Sequence, residues 1–311
     1  MPKSEHDYNQ VELPGLALDL MLLGGQSFCW EKTGENEYLG FDRDSLIELK
    51  YDGNKLYWQT YPEFNNKTKI KQYFRLDTDH NPIHELIFAD NNVRVAQQNL
   101  QTIRLLKQDF EIAFFSFIIS QNNSLPIIRY RIKNLCQKFG KQIKYKGKIH
   151  YLFPTVESLL NASLAELSEC KLGYRAKYIK SGAEFLAQNK AFYSQLKKSD
   201  TKTEPQIREW LKEVKGIGDK VADCIMVYGL GYDNIFPMDL WGRRLISKYY
   251  GLPEKAKYEH LRKWIKAHFR GYAAWAGQYL FEYTRLNWKD IKNESKKISK
   301  KPRKSRSGTH K

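Results

Sequence analysis

The sequence predicts an α+β protein in which an N-terminal antiparallel β-sheet domain packs on an all-helical domain. Two patterns predict this order. Up to about Phe64, apolar and polar residues alternate around a glycine-containing turn, which is typical of half-buried strands. From there on, apolar residues recur at helical spacing over most of the chain, and β-turn residues are few. A chain of 311 residues is long enough for about two such domains.

The strand pattern is clearest on the two sides of the turn at residues 52–54, which contains Gly53. One face of the pattern consists of large apolar side chains, which are Ile47, Leu49, Tyr51, Leu56 and Trp58. Alternation on both sides of a glycine turn predicts a β-hairpin. Residues 38–41 predict a further strand beside it.

The helical pattern covers segments 110–119, 127–139, 156–167, 176–186, 205–214, 220–229, 240–249, 258–268 and 272–286. Short breaks that contain glycine or proline separate some of them, for example at residues 216–218. This pattern predicts a sheet domain with a helical end over residues 1–105 and a helical domain over residues 106–288. Residues 289–311 lack apolar periodicity and predict a disordered basic tail.

Composition excludes several classes of protein. With 41% hydrophobic residues, the chain is predicted to fold rather than to remain disordered. No apolar run approaches the ~20 residues that a membrane span needs, and the acidic start does not resemble a signal peptide. We therefore expect no membrane association and no secretion. The expected location is intracellular: the cytoplasm and nucleoid of a prokaryote, or the nucleus of a eukaryote.

The net charge indicates the kind of partner. The formal net charge is +17, and the last 23 residues supply eight of these charges from ten Lys and Arg against two acidic residues. The remaining nine belong to residues 1–288, so the folded part is itself basic. Such a surface favours a polyanion, most often nucleic acid.

The cysteines argue against a metal centre. They are scattered, without metal-ligand spacing, at Cys29, Cys136, Cys170 and Cys224. We interpret them as small buried residues in a reducing compartment. No zinc finger, iron–sulfur cluster or other cofactor is expected.

The most informative segment is the break around Gly216-Ile217-Gly218, where one helix ends and another begins. Two glycines around one apolar residue permit a tight turn with exposed amides. Those amides and the positive end of the next helix can hold a DNA phosphate without reading sequence. A dinucleotide site fits poorly, because Val221 stands where a third glycine is required and the preceding element is helical.

Two side chains near this hairpin are candidates for catalysis. Lys220 opens the second helix, and an amine held there can act as a nucleophile. Asp239 follows nineteen residues later, at the start of another helix. Local pattern alone favours a surface lysine and an N-capping aspartate. Capping and catalysis are compatible, since a capping carboxylate is held rigidly and can still face a site.

At these residues the chain resembles the helix-hairpin-helix (HhH-GPD) DNA glycosylase superfamily, and within it the 8-oxoguanine DNA glycosylase/lyases. The signature is Val214-Lys-Gly-Ile-Gly-Asp-Lys220-Val-Ala-Asp-Cys224, with Asp239 at the expected separation. Further matching motifs follow in the family's order over about residues 13–288. They are Gly25-Gln-Ser-Phe28 with Trp30, Arg104-Leu-Leu-Lys-Gln-Asp109, Phe115-Ser-Phe117-Ile, Asn122-Asn123, Leu135-Cys-Gln-Lys-Phe-Gly140, Leu172-Gly-Tyr174-Arg175-Ala176 and Tyr272-Ala-Ala-Trp275.

The resemblance implies excision of a damaged base after it is swung out of the duplex. Lys220 would attack the sugar C1′, displace the base and form an imine that permits strand cleavage. Asp239 would stabilise the cationic sugar and help to move protons. The implied partner is double-stranded DNA containing 8-oxoguanine, bound by a monomer.

The resemblance also implies binding roles. The 8-oxoguanine pocket would contain Gly25, whose carbonyl accepts the N7–H of the lesion, together with Cys224, Phe281 and Gln278. Contacts to DNA would come from Asn122, which fills the vacated stack, the wedge Tyr174, Arg175 at the estranged base, and the hairpin glycines Gly216 and Gly218.

Three positions depart from the family pattern. Ile127 replaces an arginine, which predicts weaker discrimination for cytosine opposite the lesion. Trp241 replaces a histidine that grips phosphate. Gly277 occupies the position of a pocket glutamine, and Gln278 follows it, so base-edge contacts differ.

Two other classes of function remain open. The chain could be another HhH glycosylase, for alkylated or other oxidised bases. Glycosylases for alkylated bases lack the hairpin lysine, whereas Lys220 is present here. Those for other oxidised bases carry a four-cysteine cluster near the C-terminus, and no cysteine follows Cys224 in this chain. It could also be a non-catalytic DNA-binding protein that uses the hairpin as a phosphate clamp. Retention of both Lys220 and Asp239 argues against that alternative.

Overall fold

A computed structural model describes residues 8–62, 67–196 and 203–288. The predicted basic tail, residues 289–311, lies outside the described residues. An N-terminal antiparallel sheet is followed by a helical part, so the predicted α+β class is confirmed. None of the helices in the described ranges is both long enough and apolar enough to cross a bilayer.

The N-terminal part contains strands β1 (Asn9–Glu12), β2 (Trp30–Gly34), β3 (Glu37–Phe41), β4 (Leu46–Tyr51) and β5 (Lys55–Tyr61), and helices α1 (Leu18–Leu23), α2 (Lys67–Tyr73), α3 (Asn81–Phe88) and α4 (Asn91–Asn99). The strands form one antiparallel sheet in the order β1-β5-β4-β3-β2. The predicted hairpin is β4–β5, in which Leu49 lies opposite Trp58. Both side chains are buried on the core face. The further strand predicted at residues 38–41 lies within β3.

The second part contains α5 (Phe110–Ser120), α6 (Leu125–Phe139), β6 (Gln142–Tyr145), β7 (Lys148–Tyr151), α7 (Val156–Asn161), α8 (Leu164–Glu169), α9 (Arg175–Gln188), α10 (Lys190–Leu196), α11 (Glu204–Lys212), α12 (Asp219–Ile225), α13 (Leu240–Tyr250), α14 (Tyr258–His268) and α15 (Ala273–Leu286). A π-helical stretch, Met226–Leu230, continues α12. Helix α5 lies at the centre, with ten of its residues buried, and packs against α6, α9 and α12.

The expectation of an all-helical second domain needs one correction, because β6 and β7 form a two-stranded antiparallel sheet there. Ile143 is the buried residue of β6, and it packs on Leu46 of the N-terminal sheet. Ile143 and Tyr145 alternate with polar residues, as do Ile149 and Tyr151 beyond a turn that contains Gly147. This hairpin pattern was present in the sequence, and the helical interpretation of the region overlooked it. The predicted helix 156–167 is likewise divided into α7 and α8, because a capping box at Ser163 starts a new helix.

The loop between α1 and β2 is tied to the rest of the core by Gln26, whose side chain is fully buried. Its amide nitrogen donates to the Arg104 carbonyl at 3.1 Å, and its Oε1 accepts from the Leu106 amide at 2.9 Å. Gln108 donates to the Gln26 carbonyl at 2.6 Å. The loop that carries Gly25 is therefore fixed against the segment that leads into α5.

The four cysteines are buried and unpaired, which confirms their interpretation as small buried residues.

Candidate active site and nucleic-acid interface

The predicted helix-hairpin-helix consists of α11, a turn over residues 213–218, and α12. Gly216 has a φ of +96°, and a Cβ there would lie 2.4 Å from the Tyr178 ring. Gly218 has a φ of −100°, and a Cβ there would meet nothing within 4 Å. Gly216 is thus required by the fold, whereas Gly218 leaves the outer face of the turn open to approach.

These two glycines give a matched pair of variants. Gly216→Ala is expected to lower the free energy of unfolding by about 1–3 kcal/mol, because the left-handed backbone and the Tyr178 ring both oppose a methyl group. Gly218→Ala should change that free energy by less than about 0.5 kcal/mol. Urea unfolding of both variants tests this difference. If a DNA phosphate binds at the turn, Gly218→Ala should still weaken DNA binding. Equal losses of stability in the two variants would contradict the different surroundings of the two glycines.

Lys220 and Asp239 line the same cleft. Lys220 is in the first turn of α12, and its Nζ lies 5.9 Å from the centroid of the Phe117 ring. Asp239 is the N-cap of α13, and its Oδ1 accepts a hydrogen bond from the Gly242 amide at 2.9 Å. The capping interpretation of Asp239 is confirmed, and the capping carboxylate faces the cleft that contains the lysine.

The cleft has a volume of about 360 Å³ and is lined by aromatic side chains, including Phe117, Phe236 and Phe281. A space of this size, mostly apolar with a few polar groups, is typical of a small-ligand pocket. The structure brings the two catalytic candidates together with all four residues predicted for the base pocket, which are Gly25, Cys224, Gln278 and Phe281.

Two of these pocket residues have well-defined surroundings. Gly25 lies against the edge of Phe281, since a Cβ on Gly25 would be 3.2 Å from Phe281 Cε1. Burial raises the pKa of the Cys224 thiol to about 11, so the thiol is neutral at pH 7. A neutral thiol is a poor nucleophile, so we assign Cys224 a place in the pocket wall and no nucleophilic role.

Gln278 lies in the cleft wall, but its amide is engaged within the protein. The side chain is only 3% exposed. Tyr228 donates its hydroxyl to Gln278 Oε1 at 2.8 Å, and Gln278 Nε2 donates to Glu282 Oε1 at 3.2 Å. The neighbouring Gly277 packs on Phe236, and a Cβ there would lie 2.5 Å from that ring. The presence of glycine at residue 277, where the family pattern has a glutamine, therefore has a steric explanation.

Glu282 is a site residue that sequence reasoning missed. Its side chain is completely buried on α15, where it pairs with Arg285 and accepts from Gln278. The Gly25 amide lies beside Glu282 and favours its charged form. Burial raises the pKa of the Glu282 carboxyl, and Arg285 opposes that shift. The available signal was an acidic residue in the apolar 14-residue run of α15.

Asn122 and Tyr174 meet at the surface beside the hairpin. Asn122 has a φ of +50°, and its Nδ2 donates to the Tyr174 hydroxyl at 3.1 Å. Tyr174 is 48% exposed, and its ring packs edge-on against Tyr178, the residue that covers Gly216. These contacts connect the predicted DNA-binding residues from the Asn122 loop to the hairpin turn.

Arg175 belongs to the same surface, but its guanidinium points inward. The residue is 4% exposed, and its Nε donates to the Gln121 carbonyl at 2.9 Å. The guanidinium carbon also lies 4.3 Å from the centroid of the Tyr174 ring. Burial lowers the pKa of Arg175. In this conformation Arg175 supports the loop before Asn122, so contact with an estranged base would require its donors to be redirected.

The other two residues that differ from the family pattern, Ile127 and Trp241, are exposed. Ile127 lies on α6 and is 42% exposed, close in sequence to Asn122. Trp241 lines the cleft beside Asp239 and packs edge-on against Trp288, with ring centroids 4.3 Å apart. An indole presents an apolar rim there in place of a phosphate-binding imidazole.

Family models match both parts of the chain. Residues 10–112 match the model described as 8-oxoguanine DNA glycosylase, N-terminal domain. Residues 115–270 match the HhH-GPD superfamily base excision DNA repair protein model.

Known proteins resemble the chain over most of its length. An N-glycosylase/DNA lyase of Saccharomyces cerevisiae is 32% identical over 316 aligned positions, covering 86% of this chain and 82% of the relative. The N-glycosylase/DNA lyase OGG1 of Arabidopsis thaliana is 26% identical, covering 86% and 76%. A Clostridium acetobutylicum 8-oxoguanine glycosylase/lyase, solved with double-stranded DNA containing cytosine opposite 8-oxoguanine, has a TM-score of 0.81 at 28% identity and covers 90% of this chain and 98% of its own.

Proposed function

The chain belongs to the HhH-GPD superfamily of base excision DNA repair proteins, and on that premise we propose that its cleft is the active site of a bifunctional 8-oxoguanine DNA glycosylase/lyase. The observation that carries the proposal is one cleft shared by Lys220, Asp239, Gly25 and Phe281. A nucleophile and a carboxylate thus face the same base-sized space. The named relatives, which are glycosylase/lyases, support the same activity.

The chemistry begins with Lys220. Its amine attacks C1′ of the everted nucleotide, and the new N–C1′ bond replaces the glycosidic bond. The departing base takes the electron pair of that bond and the proton that the nitrogen loses as it binds C1′. The sugar ring then opens to an imine between Lys220 and C1′. Loss of a C2′ proton expels the 3′ phosphate by β-elimination. Water finally hydrolyses the imine and restores the amine.

The role of Asp239 is to stabilise positive charge on the sugar. Departure of the base builds positive charge on the sugar, and a fixed carboxylate at short range stabilises it. Because the carboxylate already accepts from the Gly242 amide, it does not have to reorganise as the charge develops. The same group can accept and return the protons that the imine steps release.

Recognition of the lesion depends on one atom. 8-Oxoguanine carries a hydrogen on N7, whereas guanine has an acceptor there. The Gly25 carbonyl accepts from the lesion and would face the lone pair of guanine, which leaves two buried acceptors unsatisfied. Phe281 stacks on the base, and Cys224 lies on its other face. With its amide engaged by Tyr228 and Glu282, Gln278 shapes the pocket wall.

Binding to duplex DNA uses the surface from Asn122 to the hairpin. Asn122 fills the space left by the everted nucleotide, Tyr174 wedges the duplex, and Arg175 holds the loop before Asn122 in place. Gly216 and Gly218 present the hairpin to a backbone phosphate. A monomer suffices for this mode of binding, because all these residues lie on one chain.

The substrate class is tested directly by base release. Duplexes containing 8-oxoguanine, a 3-methyladenine analogue or only normal bases are incubated with the protein, and freed bases are quantified. Release of 8-oxoguanine well above the other bases supports the proposal. Preferred release of the alkylated base would favour another HhH glycosylase. Equal binding of all duplexes without release would favour a non-catalytic clamp.

Ile127→Arg is expected to sharpen the preference for cytosine opposite the lesion by about tenfold. A guanidinium can donate two hydrogen bonds to the adjacent N3 and O2 acceptors of cytosine, which isoleucine cannot. Single-turnover excision opposite each of the four bases measures the change. Val95→Arg adds the same charge at another exposed apolar residue and serves as control. Unchanged opposite-base ratios in Ile127→Arg would reject this explanation.

A further inference from the structure

The peptide between Gly24 and Gly25 is held at both ends. Its N–H, which belongs to Gly25, lies beside the Glu282 carboxylate and favours the charged form of that group. On the other side, the Arg129 guanidinium donates to the Leu23 carbonyl and lies 3.5 Å from the Gly24 carbonyl oxygen. One buried carboxylate and one guanidinium therefore fix the orientation of this peptide plane.

The fit around this peptide leaves no room for a side chain at Gly24. A Cβ at Gly24 would lie 2.2 Å from the Leu20 carbonyl oxygen and 2.5 Å from Glu282 Oε1. On the C-terminal side, three hydrogen bonds connect Gln26 to residues 104–108. Gly25 thus lies between two anchored neighbours, and the direction of its carbonyl follows from them.

The chemistry of the Glu282 position is specific. The groups around its carboxylate are all donors: Gln278 Nε2 donates at 3.2 Å, Arg285 Nε donates at 2.9 Å, and the Gly25 amide lies beside it. An ionised carboxylate offers acceptors only, so it can satisfy all three at once. A carboxamide of the same shape would turn an N–H₂ toward at least one of these donors.

We propose that Glu282 is a positioning residue for lesion recognition. It holds the Gly25 amide, while Arg129 holds the preceding carbonyls, and together they aim the Gly25 carbonyl at N7–H of 8-oxoguanine. The inference rests on the proposed function, since it explains how the acceptor for that function is oriented. A carbonyl that is free to rotate would lose the bond to the lesion and would stop rejecting guanine.

The test uses two substrates that share Lys220 but differ in whether a base must be recognised. One duplex contains 8-oxoguanine opposite cytosine, and the other contains a preformed abasic site, which needs the lysine but no base contact. Glu282→Gln is expected to slow 8-oxoguanine release about tenfold while changing abasic-site cleavage less than about twofold. Arg129→Lys, at the other end of the peptide, should show the same pattern.

Glu157→Gln makes the same substitution at an exposed glutamate on α7 and should leave both rates unchanged. Equal losses on the two substrates in Glu282→Gln would show a merely structural role and overturn the inference. Unchanged rates on both would also overturn it. Failure of the wild type to release 8-oxoguanine would overturn the proposed function instead, so the two failures are distinguishable.

Discussion

Replacing Lys220 by glutamine is expected to abolish base release and strand cleavage, with a loss of about a thousandfold or more in single-turnover rate. The lone pair of a carboxamide nitrogen is delocalised, so the variant has no nucleophile at C1′. Glutamine nearly matches lysine in length and can remain beside Phe117, which lies 5.9 Å from the native amine. Binding of the lesion duplex should therefore persist, as a gel-shift or anisotropy titration will show.

Lys215→Gln is the matched control, because it removes one cation from an exposed position in the same hairpin. It should weaken DNA binding slightly and leave the rate of bound enzyme unchanged. Substantial base release by Lys220→Gln would mean that another group attacks the sugar, and the assignment of the nucleophile would have to be abandoned.

Asp239→Asn is expected to slow base release about 100- to 1,000-fold without loss of folding. An amide cannot offset the positive charge that develops on the sugar. Asparagine nevertheless caps helices as well as aspartate does, and its Oδ1 can still accept from the Gly242 amide. The measurement pairs single-turnover kinetics on 8-oxoguanine opposite cytosine with the melting temperature of each protein.

Asp109→Asn provides the comparison, since Asp109 caps α5 in the same way, through the Glu111 and Ile112 amides. That variant should retain the wild-type rate. A drop of less than about tenfold in Asp239→Asn would contradict the electrostatic role. A large fall in its melting temperature would show that capping, rather than catalysis, explains the loss.

Some of this site could be predicted because its determinants are local. Gly216 and the following helix start are encoded within a few residues, and the hairpin pattern places Lys220 at that start. Asp239 likewise predicts a helix N-terminus, because aspartate is a common N-cap residue. The sheet was predictable for the same reason: strict alternation in β4 and β5 fixes which side chains face the core.

The remaining features depend on contacts between distant parts of the chain. Glu282 meets Gly25 across more than 250 residues, and no periodicity in α15 indicates that partner. The inward direction of Arg175 follows from the Gln121 carbonyl, which belongs to a different element. The steric need for Gly277 comes from Phe236. Each of these is a tertiary effect that overrides what the local sequence suggests.

Borohydride trapping tests whether Lys220 forms a covalent imine with the sugar of 8-oxoguanine nucleotides. A duplex containing 8-oxoguanine opposite cytosine is incubated with wild type and with Lys220→Gln in the presence of borohydride, which reduces an imine to a stable amine. Wild type is expected to give a covalent protein–DNA adduct, and the variant is expected to give none. Release of 8-oxoguanine without any adduct, or an adduct that persists in Lys220→Gln, would contradict this role of Lys220.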